Sequence, residues 1–187
     1  MHRRRQFAAA ITGAFVSFAI GGLFAGLAGA FLAGPLQHPS PTLTGLTIFL
    51  TFGTGVLVQT TTTTWPADRL VAAGIAPMLV GLGLLAVSVW LSPPSLALFL
   101  IAGVVAGSGV GGLIRGSLTV VISLSTTDDR AGALATFFTA AYVGVSLPVV
   151  GLGVVLQHLS PRVTLLLFVL AAAIGIVAAA PLLVRRA

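Results

Sequence analysis

The chain has no cysteine and no lysine, and its 187 residues hold only three acids, Asp68, Asp128 and Asp129. Without cysteine there are no disulfides, no thiolate zinc sites and no iron–sulfur clusters, so no cofactor is expected from that chemistry. With 6% charged residues there is too little polar surface to keep a folded chain of this size in water, where ordinary domains carry about 25%. The positive charge, +6 overall, is all arginine, and the arginines are scattered between apolar runs instead of being gathered with aromatics into a stripe. A nucleic-acid partner, which requires a basic patch first, is excluded on that ground. What the chain has in quantity is apolar residues: 57% are hydrophobic and the mean hydropathy is +1.14. Its natural solvent is lipid.

A bilayer-spanning helix needs about 20 mostly apolar residues. Six segments meet this, roughly Phe7–Leu32, Thr42–Thr63, Leu70–Leu91, Leu96–Ser123, Ala131–Leu156 and Val163–Val184, all within a single membrane domain. The connectors "GPLQHPSP", "WPADR", "SPPS", "STTDDR" and "QHLSPR" are short and made of turn residues, which makes successive helices antiparallel neighbours. Cytoplasmic loops retain arginine. An N-terminus placed inside puts Arg3, Arg4, Arg5, Arg69, Arg130, Arg185 and Arg186 on that side and only Arg162 outside. Both termini are therefore expected in the cytoplasm. Trp65 and Trp90 end the second and third spans at opposite interfaces, where amphipathic rings are favoured. "RRRQF" and "AGA" imitate a cleaved signal. The first apolar run, however, is about 26 residues against a signal core of 7–15, and five more spans follow, so the arginines are read as topology determinants.

Polar residues are shared unevenly among the spans. At 100° per residue, Thr44, Thr47, Thr51 and Thr54 lie within about 80° on the second, as do Ser108, Gly112, Arg115, Thr119 and Ser123 on the fourth. Thr136, Thr139, Tyr142 and Ser146 cover about 120° on the fifth. Spans two, four and five are thus expected to turn a polar stripe toward protein or water, and spans three and six to face lipid. Small residues four apart, Gly22, Gly26, Ala30 and Gly34 on the first span and Gly103, Gly107 and Gly111 on the fourth, allow close helix approach. The pattern has a period of three, which is how secondary transporters build a six-helix unit from two inverted triplets.

"AGSGVGGLIRGS" contains G-x-G-x-x-G at Gly107, Gly109 and Gly112, the fingerprint of a dinucleotide loop. A soluble nucleotide-binding domain needs polar strands, loops and helices that this composition denies, so the match is read as a coincidence of a glycine-rich membrane helix. An intramembrane serine hydrolase built on Ser108 would need a base to activate it. The three histidines, His2, His38 and His158, stand at ends or in loops, so no enzyme is expected.

Three stretches carry a resemblance. "RRRQFAAAITGAFVSFAIGGLFAGLAGAFL" resembles the basic linker and seventh helix of bacterial members of the major facilitator superfamily. "LAGPLQHPSPTLTGLTIFLTFGTGVLVQ" resembles their outer loop and eighth helix, and "DDRAGALATFFTAAYVGVSLPVVGLGVV" the entry to and body of the eleventh. The loop "WPADRLVAAG" keeps Asp68 and Arg69 but lacks the glycine and the arginine pair of the family's inner-loop motif. The resemblance implies an all-α integral membrane protein, the C-terminal six-helix half of a transporter in the inner membrane of a bacterium. Such a half moves a small-molecule substrate, as a permease or exporter, by alternating access. Six helices of the family's twelve are absent, so a gene fragment, a misassigned start at Met1 and a half-transporter pairing with an N-terminal half or a second copy of itself all stay open.

On that reading Thr47, Thr51, Ser108, Arg115, Thr139, Tyr142 and Ser146 are candidates to line a substrate pathway. Arg115 stands about 28 Å along its helix from Leu96, nearer the cytoplasmic mouth than the midplane, where snorkelling competes with a pathway role. Asp68, Asp128 and Asp129 precede cytoplasmic helix starts. There they either cap free backbone N–H groups or form a gate with Arg69, Arg130 or Arg115. No carboxylate lies inside a span, so a proton carrier, if one is used, is expected in a partnering half. The rival to transport is a six-span assembly or scaffold protein.

Overall fold

The computed structural model describes residues 2–184, so the expected cytoplasmic Arg185 and Arg186 fall outside the described residues. Six helices follow one another, α1 (His2–Ala33), α2 (Pro41–Thr61), α3 (Ala67–Trp90), α4 (Leu96–Leu124), α5 (Arg130–Val155) and α6 (Pro161–Val184), with no strand among the described residues. Each contains a window long and apolar enough to cross a membrane. A helix spanning in this way satisfies its backbone N–H and C=O groups within itself, without water.

The helix starts follow from local chemistry. Ser40 and Ser95 accept hydrogen bonds from the backbone N–H of Leu43 (3.3 Å) and Leu98 (3.2 Å). Pro41 and Pro161 occupy first-turn positions, where a missing N–H costs nothing. Three prolines lie within helices, Pro77 in α3, Pro148 in α5 and Pro181 in α6, a placement that membrane helices tolerate through their neighbours. α1 starts five residues earlier than the apolar run, so Arg3, Arg4 and Arg5 are helical; Arg3 donates from Nε to the Leu124 carbonyl (3.0 Å) at the end of α4.

α1 and α4 form the centre. α1 packs on α2, α4, α5 and α6, and α4 on α1, α2, α3 and α5, while α3 and α6 meet on the far side. The core is correspondingly theirs: Phe24 and Phe31 of α1 and Phe99 and Leu113 of α4 are buried, with the Phe24 and Phe99 rings 6.1 Å apart. α2 and α5 are the least buried helices and do not pack against one another. This differs from the expectation that spans three and six would be the peripheral pair. The physical reason is on α5, whose Thr139, Tyr142 and Ser146 stand on its outward face, Tyr142 with 67% of its surface exposed.

The glycines of α4 explain how it sits at the centre. A Cβ on Gly107 would lie 2.0 Å from the Thr51 carbonyl oxygen, and one on Gly111 would lie 2.2 Å from that of Gly55, so this edge meets the α2 backbone directly. Gly109 and Gly112 face the opposite neighbour, α3, where a Cβ on Gly109 would lie 2.5 Å from the Met78 nitrogen and one on Gly112 3.1 Å from Gly74 Cα. The fingerprint glycines are therefore two packing surfaces for two different helices. The first-span series does likewise for Gly22 and Gly26, which abut Val145 and Val149 of α5.

Candidate functional site

Because α2 and α5 splay apart over α1 and α4, a cleft of about 420 Å³ remains between the four helices. Its floor includes Ser17 of α1 and Val110 of α4, and its walls include Phe52 and Gln59 of α2 and Phe138 and Val145 of α5. Ser17 and Val110 lie near the middle of their helices, so the cleft reaches mid-depth, and Gln59 and Leu118 carry it toward the end where α1 begins. Four phenylalanines dominate the lining. Phe137 is fully buried at its base with Phe138 edge-on to it (centroids 5.4 Å apart, planes at 88°), Phe18 is half-buried, and Phe52 and Phe138 stand 44% and 43% exposed at the mouth. Glycine makes room at Gly21 and Gly55; a Cβ on Gly21 would press on the Phe52 ring at 3.3 Å.

Polar groups in the lining are few. Ser17 is fully buried and its hydroxyl has no hydrogen-bond partner. The Thr51 hydroxyl donates to the Thr47 carbonyl (2.9 Å), and that of Thr47 to the Leu43 carbonyl (2.8 Å). Each threonine has thus returned its proton to its own helix and keeps only lone pairs to offer. Thr51 lines the cleft, whereas Thr47 is buried in the wall of α2. Thr54 reaches furthest, donating to its own helix at Leu50 (2.7 Å) and across to the Val104 carbonyl of α4 (3.2 Å). The threonine stripe turns inward as expected, and most of what it does there is pack α2 on α4.

The remaining pathway candidates are dispersed. Ser108 donates to the Val105 carbonyl of its own helix (2.7 Å) and sits on the flank of α4 between its α2 and α3 contacts. Thr139 donates to the Ala135 carbonyl (2.8 Å), and like Tyr142 and Ser146 it is exposed and is not among the residues lining the cleft. Tyr142 and Ser146 line a shallow groove with Leu147 and Val150 on the outer surface of α5. Arg115 crosses to the C-terminal end of α2: its guanidinium donates to the carbonyl of Thr63 (3.0 Å) and to that of Gln59. The Gln59 carbonyl belongs to the last turn of α2, at the negative end of its dipole, and Thr63 to the turn just past its C-cap Thr62. Arg115 is thereby a cap for another helix, joined at Gln59 to the edge of the cleft.

The loop residues at that end are likewise occupied with local structure. The Arg69 guanidinium lies over the Trp65 ring, 5.5 Å from its centroid. Asp68 is in the first turn of α3, where its charge meets the positive end of the helix dipole, although the N-cap itself is Pro66. Asp129 occupies the N-cap of α5 but makes no capping hydrogen bond, which corrects the capping expectation for this residue. Its carboxylate instead accepts from the Thr126 hydroxyl (2.9 Å), and the same hydroxyl oxygen accepts from the Asp129 N–H (3.3 Å), closing the turn before α5. Asp128 and Arg130 flank it, both exposed.

Sequence reasoning missed the cleft's phenylalanines and Ser17. A signal existed in Phe137–Phe138 and in Ser17, an isolated hydroxyl within the first span. Neither falls on a hydroxyl arc, and apolar rings in an apolar chain carry no contrast. No group of three or more metal-ligating side chains occurs among the described residues. Neither protein-family models nor curated proteins provide a match to this chain.

Proposed function

We propose that this chain is one six-helix half of a secondary transporter of small molecules, of major-facilitator type, working by alternating access. The observation that carries the reading is the packing scheme. Exchanging the first three helices for the last three turns α1·α5 into α4·α2 and α1·α6 into α4·α3, and it leaves α1·α4 and α3·α6 in place; all of these pairs are packed. Burial follows the same rhythm, high, low and intermediate through α1 to α3 and again through α4 to α6. Two triplets related in this way, with a mid-depth cleft between their central members, are what a binding site at a repeat interface requires. Of the charged residues described, only Arg162 stands at the far end of the bundle, which supports placing the other end in the cytoplasm of a bacterial inner membrane.

The test exploits the absence of cysteine. In inverted and right-side-out vesicles from cells producing the chain, Ser17→Cys is exposed to a membrane-impermeant thiol reagent. A transporter that opens to both sides gives labelling in both preparations. Labelling from one side only, or from neither, overturns alternating access and favours a static six-span assembly protein.

A further inference from the structure

The cleft also carries information about its ligand, and the inference that follows rests on the transport reading for its biological setting. None of the residues lining it is ionisable. An ion entering would lose hydration with no opposite charge to meet it, a cost of many kcal/mol in such surroundings. The nearest guanidinium on its rim, that of Arg115, already binds the carbonyls of Gln59 and Thr63. The rings of Phe18, Phe52, Phe137 and Phe138 present faces and edges that suit a second aromatic system in offset or edge-on contact. A volume of about 420 Å³ lies within the range of drug-sized ligand sites.

A lipid acyl chain could also lie against phenylalanine. The Ser17 hydroxyl argues against that occupant: it is fully buried in the wall at mid-depth, without a partner, and an acyl chain has no polar atom to offer there. Ser117 and Thr164 also bury unpartnered hydroxyls, but of the three only Ser17 lines the cleft; a buried hydroxyl left unpaired is costly, and there a ligand with one hydrogen-bonding group removes that cost.

We propose that the cleft between α1, α2, α4 and α5 binds an uncharged, aromatic small molecule, with its one hydrogen-bonding group at Ser17 and its rings among the four phenylalanines. Aromatic contact supplies affinity, the unpartnered Ser17 hydroxyl sets orientation beside Thr51, whose proton is already committed to its own helix, and the absence of any counter-charge selects against ions.

The experiment compares two fluorescent probes of one skeleton, neutral N-phenyl-1-naphthylamine and its sulfonate, 8-anilinonaphthalene-1-sulfonate. Both are titrated against the full chain in lipid nanodiscs, with empty discs subtracted. The expected result is saturable binding of the neutral probe at one site per chain, with the sulfonate at least about tenfold weaker. Ser17→Ala is expected to weaken the neutral probe about fivefold, the scale of one net hydrogen bond. Phe52→Ala with Phe138→Ala, both partly exposed and therefore tolerable to the fold, is expected to weaken it more than tenfold. Leu170→Ala, on the exposed side of α6, leaves binding unchanged. Sulfonate binding equal to or tighter than the neutral probe overturns the proposal and points to Arg115 reaching the ligand. Absence of saturable binding, or binding indifferent to the phenylalanine pair, overturns it in favour of lipid. Binding in discs needs no transport. One-sided labelling at Ser17→Cys with neutral binding intact therefore removes the transport reading alone, whereas two-sided labelling without neutral binding removes this inference alone.

Discussion

At the scale of single residues, Arg115 has the clearest role. Its planar fork reaches two carbonyls at the end of α2 while the residue itself belongs to α4, so one side chain fixes the relation of two helices at that end. Hydrogen bonds to a charged group are worth about 1.5–3 kcal/mol. Arg115→Ala is expected to lower the stability of the detergent-solubilised protein by an amount of that order, read from thermal unfolding. Arg115→Lys should recover only part of it, because an ammonium cannot reproduce the fork. Equal melting of all three proteins would sink this account. The hydroxyl of Thr54 makes a smaller bridge, to Val104. Thr54→Val should cost about 0.6 kcal/mol, the average for hydrogen bonds between membrane helices.

At the scale of elements, α4 is held by contact between backbones. Lipid offers no hydrophobic drive for helices to associate, so close approach between small residues supplies the attraction. Gly107 is the tightest point, 2.0 Å from its would-be Cβ to the Thr51 carbonyl oxygen. Gly107→Ala must push α2 and α4 apart, and a loss of about 3 kcal/mol or more is expected. Gly83 of α3 is the matched control, since nothing lies within 4 Å of a Cβ there. Gly83→Ala should be neutral or stabilising by up to about 1 kcal/mol, the helix-propensity difference. Both are measured by thermal unfolding of the purified variants, and a Gly107→Ala protein that melts with the parent would refute the packing role. The small-residue spacing on α1 and α4 was legible in the sequence for this reason: a run of glycines four apart has one physical use in a membrane helix. Which neighbour each edge serves was not legible, because α2 and α3 offer glycines of their own at Gly55 and at Gly74 and Gly81.

At the scale of the whole molecule, the outward face of α5 bears on assembly. Tyr142 is the only tyrosine in the chain, and it stands with Ser146 on the surface of a helix that crosses the apolar layer. Hydroxyls at such depth are more stable against another polypeptide than against acyl chains. On the half-transporter reading, a second six-helix unit covers α2 and α5. Ser146→Cys in native membranes is then expected to form a cross-linked adduct with a short bifunctional thiol- and photo-reactive reagent. Val177→Cys, on the exposed face of α6, is not. An adduct of twice the chain's mass identifies a second copy, and any other discrete protein mass identifies a separate half. A chain that stays monomeric at Ser146 while cross-linking at Val177 contradicts this arrangement.

The amino-acid sequence by itself determined that there are six helices, where each begins and ends to within a few residues, and that nearly all charge gathers at one end of the bundle. These follow from one-dimensional causes: about 20 apolar residues per crossing, turn chemistry between crossings, and the cost of placing arginine elsewhere. Only the tertiary structure decided which face of each helix is inside. The threonines of α2 and the hydroxyls of α5 look alike in sequence, yet Thr47 and Thr51 are buried, Thr51 against α4, while Tyr142 faces outward. A helical threonine satisfies its hydroxyl on a carbonyl one turn back, as Thr47, Thr51 and Thr139 all do, and it is then free of any need to face protein or water. Threonine arcs therefore do not mark the interior of a membrane bundle. The meeting of backbones at glycine does, and it is a property of pairs of helices that a single helix cannot express.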